Sequence, residues 1–257
     1  MCSTCGCGAD EVRLTLAGEP SATGPHQHAR THDHEHAHDH DAAGLRTHTI
    51  DLEQRILAKN DHLAAHNRQW LAERNVTAVN LMSSPGAGKT TLLERTIEES
   101  ERTISVIEGD QETVFDAERI RAAGARALQV NTGAGCHLDA TMVQRALDEL
   151  RPEPGGLLFV ENVGNLVCPA LFDLGERCRV VVISVTEGDD KPLKYPHMFA
   201  AADLVVVNKT DLLPYVDFDL ARLTADARKL KQDIEILPVS AQSGENMPAW
   251  HKWLAAL

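Results

Sequence analysis

From residue 76 onward the chain alternates short apolar runs with amphipathic stretches. The runs are Val76 to Met82, Thr103 to Ile107, Arg126 to Val130, Leu157 to Val160, Arg179 to Val185, Leu204 to Val207 and Ile234 to Val239. All are strand-sized, and helical spacings fall between most of them, as in Leu138, Met142, Ala146, Leu150 and Leu220, Leu223, Ala227, Leu230. Strands alternating with helices predict an α/β domain: a mostly parallel sheet with helices on both faces, whose ligands gather at the carboxyl ends of the strands.

The first 48 residues lack such a period. Eight of the thirteen histidines lie there, with Gly, Pro, Thr and Ala, so residues 1–48 read as a flexible Cys/His-rich tail and 49–257 as the folded domain. Asp51 with Gln54 three positions on resembles a capping box. Leu52, Ile56, Leu57, Leu63, Ala64, Trp70 and Leu71 then follow at helical spacing, which predicts a helix docking its apolar stripe on the domain.

Composition narrows the function. No run approaches the roughly 20 apolar residues of a membrane span, and the start Met1-Cys2-Ser3-Thr4-Cys5-Gly6-Cys7 carries no secretory pattern. A cytoplasmic protein without a membrane partner is expected. A formal charge of −13, with 38 acidic against 25 basic residues, argues against a general nucleic-acid binder. In a reducing compartment the six cysteines read as thiols or metal ligands rather than as a disulfide framework.

The chemistry sits at the ends of the apolar runs. Ser83-Ser84-Pro85-Gly86-Ala87-Gly88-Lys89-Thr90 follows one run and opens a helix, the context of a phosphate-binding Walker A loop. Ser83 stands where the first Gly is usual, yet Gly86 and Gly88 can still turn successive N–H groups toward a phosphate at the helix N-terminus. Lys89 is placed for the β and γ phosphates and Thr90 for Mg²⁺. Asn208-Lys209-Thr210-Asp211 follows the run Leu204 to Val207. Asp211 can accept hydrogen bonds that guanine supplies and adenine does not, so GTP is the expected nucleotide. Asn208 would buttress the loop and touch the ring edge, the Lys209 stem would pack on the ring face, and Ser240-Ala241 would add backbone contacts to the guanine oxygen. Asp110 and Glu161, each at a strand end, are candidates for holding Mg²⁺ or orienting the attacking water.

Three clusters point to transition metals. Cys2, Cys5 and Cys7 can converge on one ion, and sulfur with nitrogen suits Ni²⁺, Zn²⁺ or Cu⁺. The run His32-Asp33-His34-Glu35-His36-Ala37-His38-Asp39-His40 suits loose binding of several Ni²⁺ or Zn²⁺ ions. Within the domain, Cys136, His137 and Cys168 make a three-ligand set if their loops share one rim of the sheet. A helix beginning near Leu138 would favour the Cys136 thiolate. Cys178 has no companion and reads as core.

These motifs together, with Val79 to Thr91, Cys136-His137, Glu161 to Pro169 and Asn208 to Asp211, resemble the hydrogenase nickel-incorporation GTPases, the HypB family of the P-loop class that also holds the urease nickel-insertion GTPase. The resemblance spans nearly the whole chain, and the family shares the Ser83 departure. It implies a nickel metallochaperone that hydrolyses GTP, with contacts to the nucleotide from Gly86 through Thr91, and that helps load the [NiFe] hydrogenase large subunit. It also implies a tight nickel site at Cys2, Cys5 and Cys7, a nickel or zinc site at Cys136, His137 and Cys168, nucleotide-linked homodimerisation, and work beside the accessory protein HypA. A nickel reservoir with an incidental nucleotide fold, a signalling GTPase and a urease-directed chaperone are the rival readings.

Overall fold

The computed structural model describes residues 13–16, 42–110, 115–133 and 135–257. Seven parallel strands form its centre: β2 (Thr77–Ser83), β3 (Ile104–Asp110), β4 (Arg126–Asn131), β5 (Leu157–Glu161), β6 (Cys178–Ser184), β7 (Leu204–Asn208) and β8 (Glu235–Pro238). An eighth, β1 (Arg13–Leu16), pairs antiparallel with β4 at one edge. The sheet order is β1-β4-β3-β5-β2-β6-β7-β8. The expected α/β class and all seven expected strands are present, and β2, which carries the phosphate loop, lies between β5 and β6.

Both faces of the sheet are covered. On one, Val79, Leu81, Val106, Phe159, Val180 and Val182 pack under α2 (Lys89–Glu99), α3 (Phe115–Ala122) and α8 (Met247–Ala255). On the other, Ile107, Leu128, Leu158 and Val160 meet α1 (Ala42–Glu73) and α4 (Ala140–Leu150), while Val181, Ile183, Val205 and Val207 meet α6 (Pro196–Ala201) and α7 (Leu220–Leu230). Successive residues of β6 serve opposite faces, which is why its sequence is apolar without alternation.

The amino-terminal region departs from expectation in three ways. Residues 13–16 of the expected tail form a strand; Leu14-Thr15-Leu16 has the period of two that suits an edge, though the run is too short to register against its polar surroundings. Helix α1 starts at Ala42, so Asp51 lies inside it and does not cap it; Ala42, Ala43 and Leu45 are good helix formers with no Pro to stop them. Its buried stripe is also half polar: Asn60, Ala64, Asn67 and Leu71, whereas Ile56 is 49% exposed. Asn60 accepts from Ala140 N at 2.9 Å and donates to Asp173 O at 2.7 Å, and Asn67 donates to Ala140 O and Leu174 O. Gly175, at φ +91°, admits this approach, since a Cβ there would lie 2.6 Å from Ala64 O. Helix α1 is thus bolted to the segments that flank the cysteine loops. Among the described residues no helix is long and apolar enough to cross a membrane.

Candidate nucleotide and metal sites

The phosphate loop leaves β2 at Ser83 and enters α2 at Lys89. Gly86 (φ +75°) and Gly88 (φ +93°) make the left-handed turns that let backbone N–H groups face inward. At Gly88 a Cβ would meet Asn208 Nδ2 at 2.6 Å, so that position combines positive φ with a close approach. Ser83 has a reason to replace Gly: its buried hydroxyl accepts from Lys89 Nζ at 2.6 Å and donates to the Ser84 carbonyl. The Ser84 hydroxyl in turn donates to Glu187, which caps the turn after β6. The loop is thereby tied to its neighbouring strand.

A cavity of about 540 Å³ opens between this loop and the ends of β3 and β5. Lys89, Thr90, Thr91, Asp110, Glu161, Glu108, Asp116 and Arg119 line it. Thr90 Oγ1 donates to Glu161 Oε1 at 2.8 Å, which brings two of the three expected Mg²⁺ residues together. Glu161 is 4% exposed and its Oε2 has no hydrogen-bond partner among the described residues. Burial raises its carboxyl above the ordinary range against the opposing pull of Lys89 and Thr90, and burial likewise lowers Lys89. An all-oxygen set with an orphaned buried carboxylate atom fits a hard divalent cation.

Sequence reasoning passed over Glu108, Asp116 and Arg119. Glu108 occurs in a short acidic loop sequence where only Asp110 stood out as terminal, and Arg119 looks like an ordinary helix surface residue. In the fold Arg119 reaches the cavity mouth, held by Glu94 at 2.6 and 2.9 Å and by Asp116 at 3.2 Å, and these hydrogen bonds to carboxylates keep its guanidinium firmly charged.

On the other side of the loop, Asn208 is a buttress. Its Nδ2 donates to Ala87 O at 3.0 Å and its Oδ1 accepts from Ala241 N at 3.0 Å, joining the phosphate loop to the Ser240-Ala241 turn. Both ends of its amide are used in this buttress. Lys209, a non-glycine residue at φ +64°, donates from Nζ to Gly86 O at 2.7 Å. Asp211 is half-buried and accepts from the Ser240 hydroxyl, which also accepts from Ser243 N. These contacts place Asp211, Ser240 and Ala241 on one side of the loop.

The third group forms on the same rim. Cys136, His137 and Cys168 offer one ligand atom each, all within 4.8 Å of one another, and the Cys136 and Cys168 sulfurs are 3.0 Å apart. All three residues are half-buried. The His137 ring stacks on Phe172 with centroids 4.0 Å apart, and burial lowers its pKa, favouring the neutral imidazole that binds metals. Sulfur and imidazole suit nickel or zinc better than hard cations. One expectation fails here. Helix α4 begins at Ala140 and Asp139 caps it, accepting from Met142 N at 2.8 Å, so the carboxylate rather than the Cys136 thiol meets the positive helix end. Cys178 is buried core, its thiol pushed up to about 12 by burial. Cys2, Cys5, Cys7 and the His-rich run lie outside the described residues.

One segment touches both sites. Glu161 holds Thr90; Gly164 sits against Pro85 of the phosphate loop; Asn162 accepts from Leu138 N at 3.1 Å; Asn165 donates to Cys136 O at 3.3 Å; and Cys168 ends the run.

The chain has close relatives among known proteins. Residues 77–238 match the family described as CobW/HypB/UreG, nucleotide-binding domain. The chain is 50% identical to the hydrogenase maturation factor HypB of Azotobacter vinelandii over 99% of its own length and 91% of that protein. It is 47% identical to the HypB of Escherichia coli K12, over 99% and 98% of the two chains. Among solved structures, HypB from Helicobacter pylori in complex with nickel is 39% identical with a TM-score of 0.75, covering 77% of this chain and 94% of that one. HypB from Archaeoglobus fulgidus is 42% identical with a TM-score of 0.72, covering 78% and 98%. A match of this extent, on a fold that carries the phosphate loop and the Cys-His-Cys cluster on one rim, shows that the chain belongs to the HypB family of hydrogenase maturation factors.

Proposed function

We propose that this chain is a GTP-hydrolysing nickel metallochaperone for [NiFe] hydrogenase, in which nucleotide state controls the nickel held at Cys136, His137 and Cys168. The observation that carries the reading is the single segment from Glu161 to Cys168, whose residues contact the phosphate loop at one end and supply a metal ligand at the other. The nickel complex of the Helicobacter pylori relative supports the metal.

The phosphate loop binds the β and γ phosphates through Gly86 to Thr91, with Lys89 leaving Ser83 to meet their charge. Thr90, Asp110 and Glu161 would hold Mg²⁺, which would supply neutralisation of the charge that develops on the phosphates. Asp211 selects guanine, with Asn208 and Lys209 fixing its loop against the phosphate loop and Ser240-Ala241 completing the base site. Intrinsic hydrolysis by the isolated chain is expected to be slow, as in P-loop GTPases that await an activating partner.

A shift of the Glu161 to Cys168 segment on hydrolysis moves Cys168 relative to Cys136. A coupling of about 1.4 kcal/mol between the two sites changes metal affinity tenfold. GTP turnover then times nickel release. Zn²⁺ competes for the same sulfurs, and the thiols Cys2, Cys5 and Cys7 hold a second, tail-borne nickel ion. In this reading the protein works in the cytoplasm as a nucleotide-dependent homodimer, with HypA and the hydrogenase large subunit as partners.

The test is the Ni²⁺ affinity of the Cys136 site in the full chain carrying Cys2→Ala, Cys5→Ala and Cys7→Ala, compared with GDP and with a non-hydrolysable GTP analogue. Different affinities are expected; equal ones reject the coupling.

A further inference from the structure

Glu108 has no role in the scheme above, and its surroundings are unusual for a carboxylate. It stands directly opposite Glu161 in the parallel register of β3 and β5, so the two side chains lie side by side on the face covered by α2 and α3. Glu108 is 2% exposed and lines the cavity at the phosphate loop. Its Oε2, like that of Glu161, has no hydrogen-bond partner among the described residues. Two adjacent buried carboxylates, each with an orphaned oxygen, are strongly unfavourable unless a cation joins them.

The basic groups nearby do not supply that charge. Lys89 Nζ is bonded to Ser83, and its expected destination is the nucleotide. Arg119 is held by Glu94 and Asp116 at the cavity mouth. Packing alone does not call for an acid at position 108 either, since leucine or glutamine of similar size would fill the place without a buried charge. What the two carboxylates have in common is the cavity beside Thr90.

We infer that Glu108 and Glu161 form a two-carboxylate seat for the divalent cation that accompanies the nucleotide, making Glu108 a cation-binding residue beyond Thr90, Asp110 and Glu161. The inference rests on the GTPase reading. P-loop proteins usually hold the cation with the loop hydroxyl and one acid at a strand end. Beyond Asp110 and Glu161, a further acid at Glu108 adds oxygen acceptors for the cation or for the water it retains. It also makes nucleotide binding depend more steeply on the cation, because the cation that bridges to the phosphates gains a further ligand from the chain.

The experiment measures the affinity of the full-length chain for a fluorescent GDP analogue with excess Mg²⁺ and with a chelator, together with Mn²⁺ binding to the GDP complex by electron paramagnetic resonance. Glu108→Gln keeps the size and removes the charge. Its Mn²⁺ affinity is expected to fall about 10- to 100-fold, as for other supporting groups around a metal, with a matching fall in the Mg²⁺ enhancement of GDP affinity. Cation-free GDP affinity should hold or improve, and Glu108→Asp should recover part of the loss. An unchanged Mg²⁺ enhancement and Mn²⁺ affinity in Glu108→Gln overturn the inference and leave the GTPase reading standing. Equal losses with and without cation also overturn it, by making Glu108 a packing residue. A wild-type chain whose GDP affinity ignores Mg²⁺ overturns both.

Discussion

Gly164→Ala isolates the contact between the Glu161 to Cys168 segment and the phosphate loop. The backbone at Gly164 is not in the left-handed region, so alanine is conformationally allowed and the effect comes from the added methyl alone. That methyl would sit 3.0 Å from Pro85 Cα, 3.1 Å from Pro85 N and 3.2 Å from Pro85 Cγ. Two of the three atoms are backbone or directly attached to it, so relief requires the loop or the segment to move by a few tenths of an ångström. Overpacking of this kind costs about 1–3 kcal/mol. Because Pro85 immediately precedes Gly86, the strain falls on the phosphate-binding turn, and GDP affinity should weaken about 5- to 150-fold. Displacement of the segment also disturbs Asn165, which holds the Cys136 carbonyl, so the ratio of Ni²⁺ affinities in the GDP and GTP-analogue states should change. Both quantities are read by titration of the full-length protein, after circular dichroism has established an intact fold. A folded Gly164→Ala protein with wild-type GDP affinity and a wild-type nickel ratio would refute the claim that this contact transmits anything.

Two further outcomes follow from the geometry. Asn208→Ala removes the bond to Ala87 O and leaves the buried Ala241 N–H without its acceptor, so urea denaturation should show a loss of about 2–3 kcal/mol; a change below about 0.5 kcal/mol would remove Asn208 as the buttress. The Glu108 carboxyl is pushed from 4.5 up to about 9, first by burial and then by Glu161, Asp110 and Asp116. The folded, cation-free chain therefore keeps a proton that the unfolded chain releases above 4.5. Stability should be greatest below that pH and decline toward 9, by at most about 1.4 kcal/mol per pH unit for one proton. Glu108→Gln should flatten this part of the profile in thermal melts with chelator; identical slopes in the two proteins would show that Glu108 is ionised in the fold.

Much of the site was legible because its chemistry is local. Gly86, Gly88, Lys89 and Thr90 belong to one turn, and Asn208 to Asp211 to another, so their spacing along the chain carries their geometry. Asn60 and Asn67 were not legible in the same way. Hydrophobic periodicity finds apolar stripes, whereas these asparagines dock α1 through carbonyl and N–H groups of Ala140, Asp173 and Leu174. Asp139 illustrates a boundary effect: a shift of two residues in the start of α4 moved the positive helix end from the cysteine to the carboxylate.

The sequence by itself determined the alternation of strands and helices and the phosphate loop, because each depends on neighbours a few residues apart, and it supplied thiols and an imidazole able to take a metal at Cys136, His137 and Cys168. Only the tertiary structure decided that Cys136 and Cys168 meet at 3.0 Å, that Glu161 reaches Thr90, and that Glu108 lies beside Glu161. Those pairs are joined by the order of strands in the sheet. Placing β5 between β2 and β3 is a property of the packed whole, set by which apolar faces bury against each other, and no local pattern encodes it.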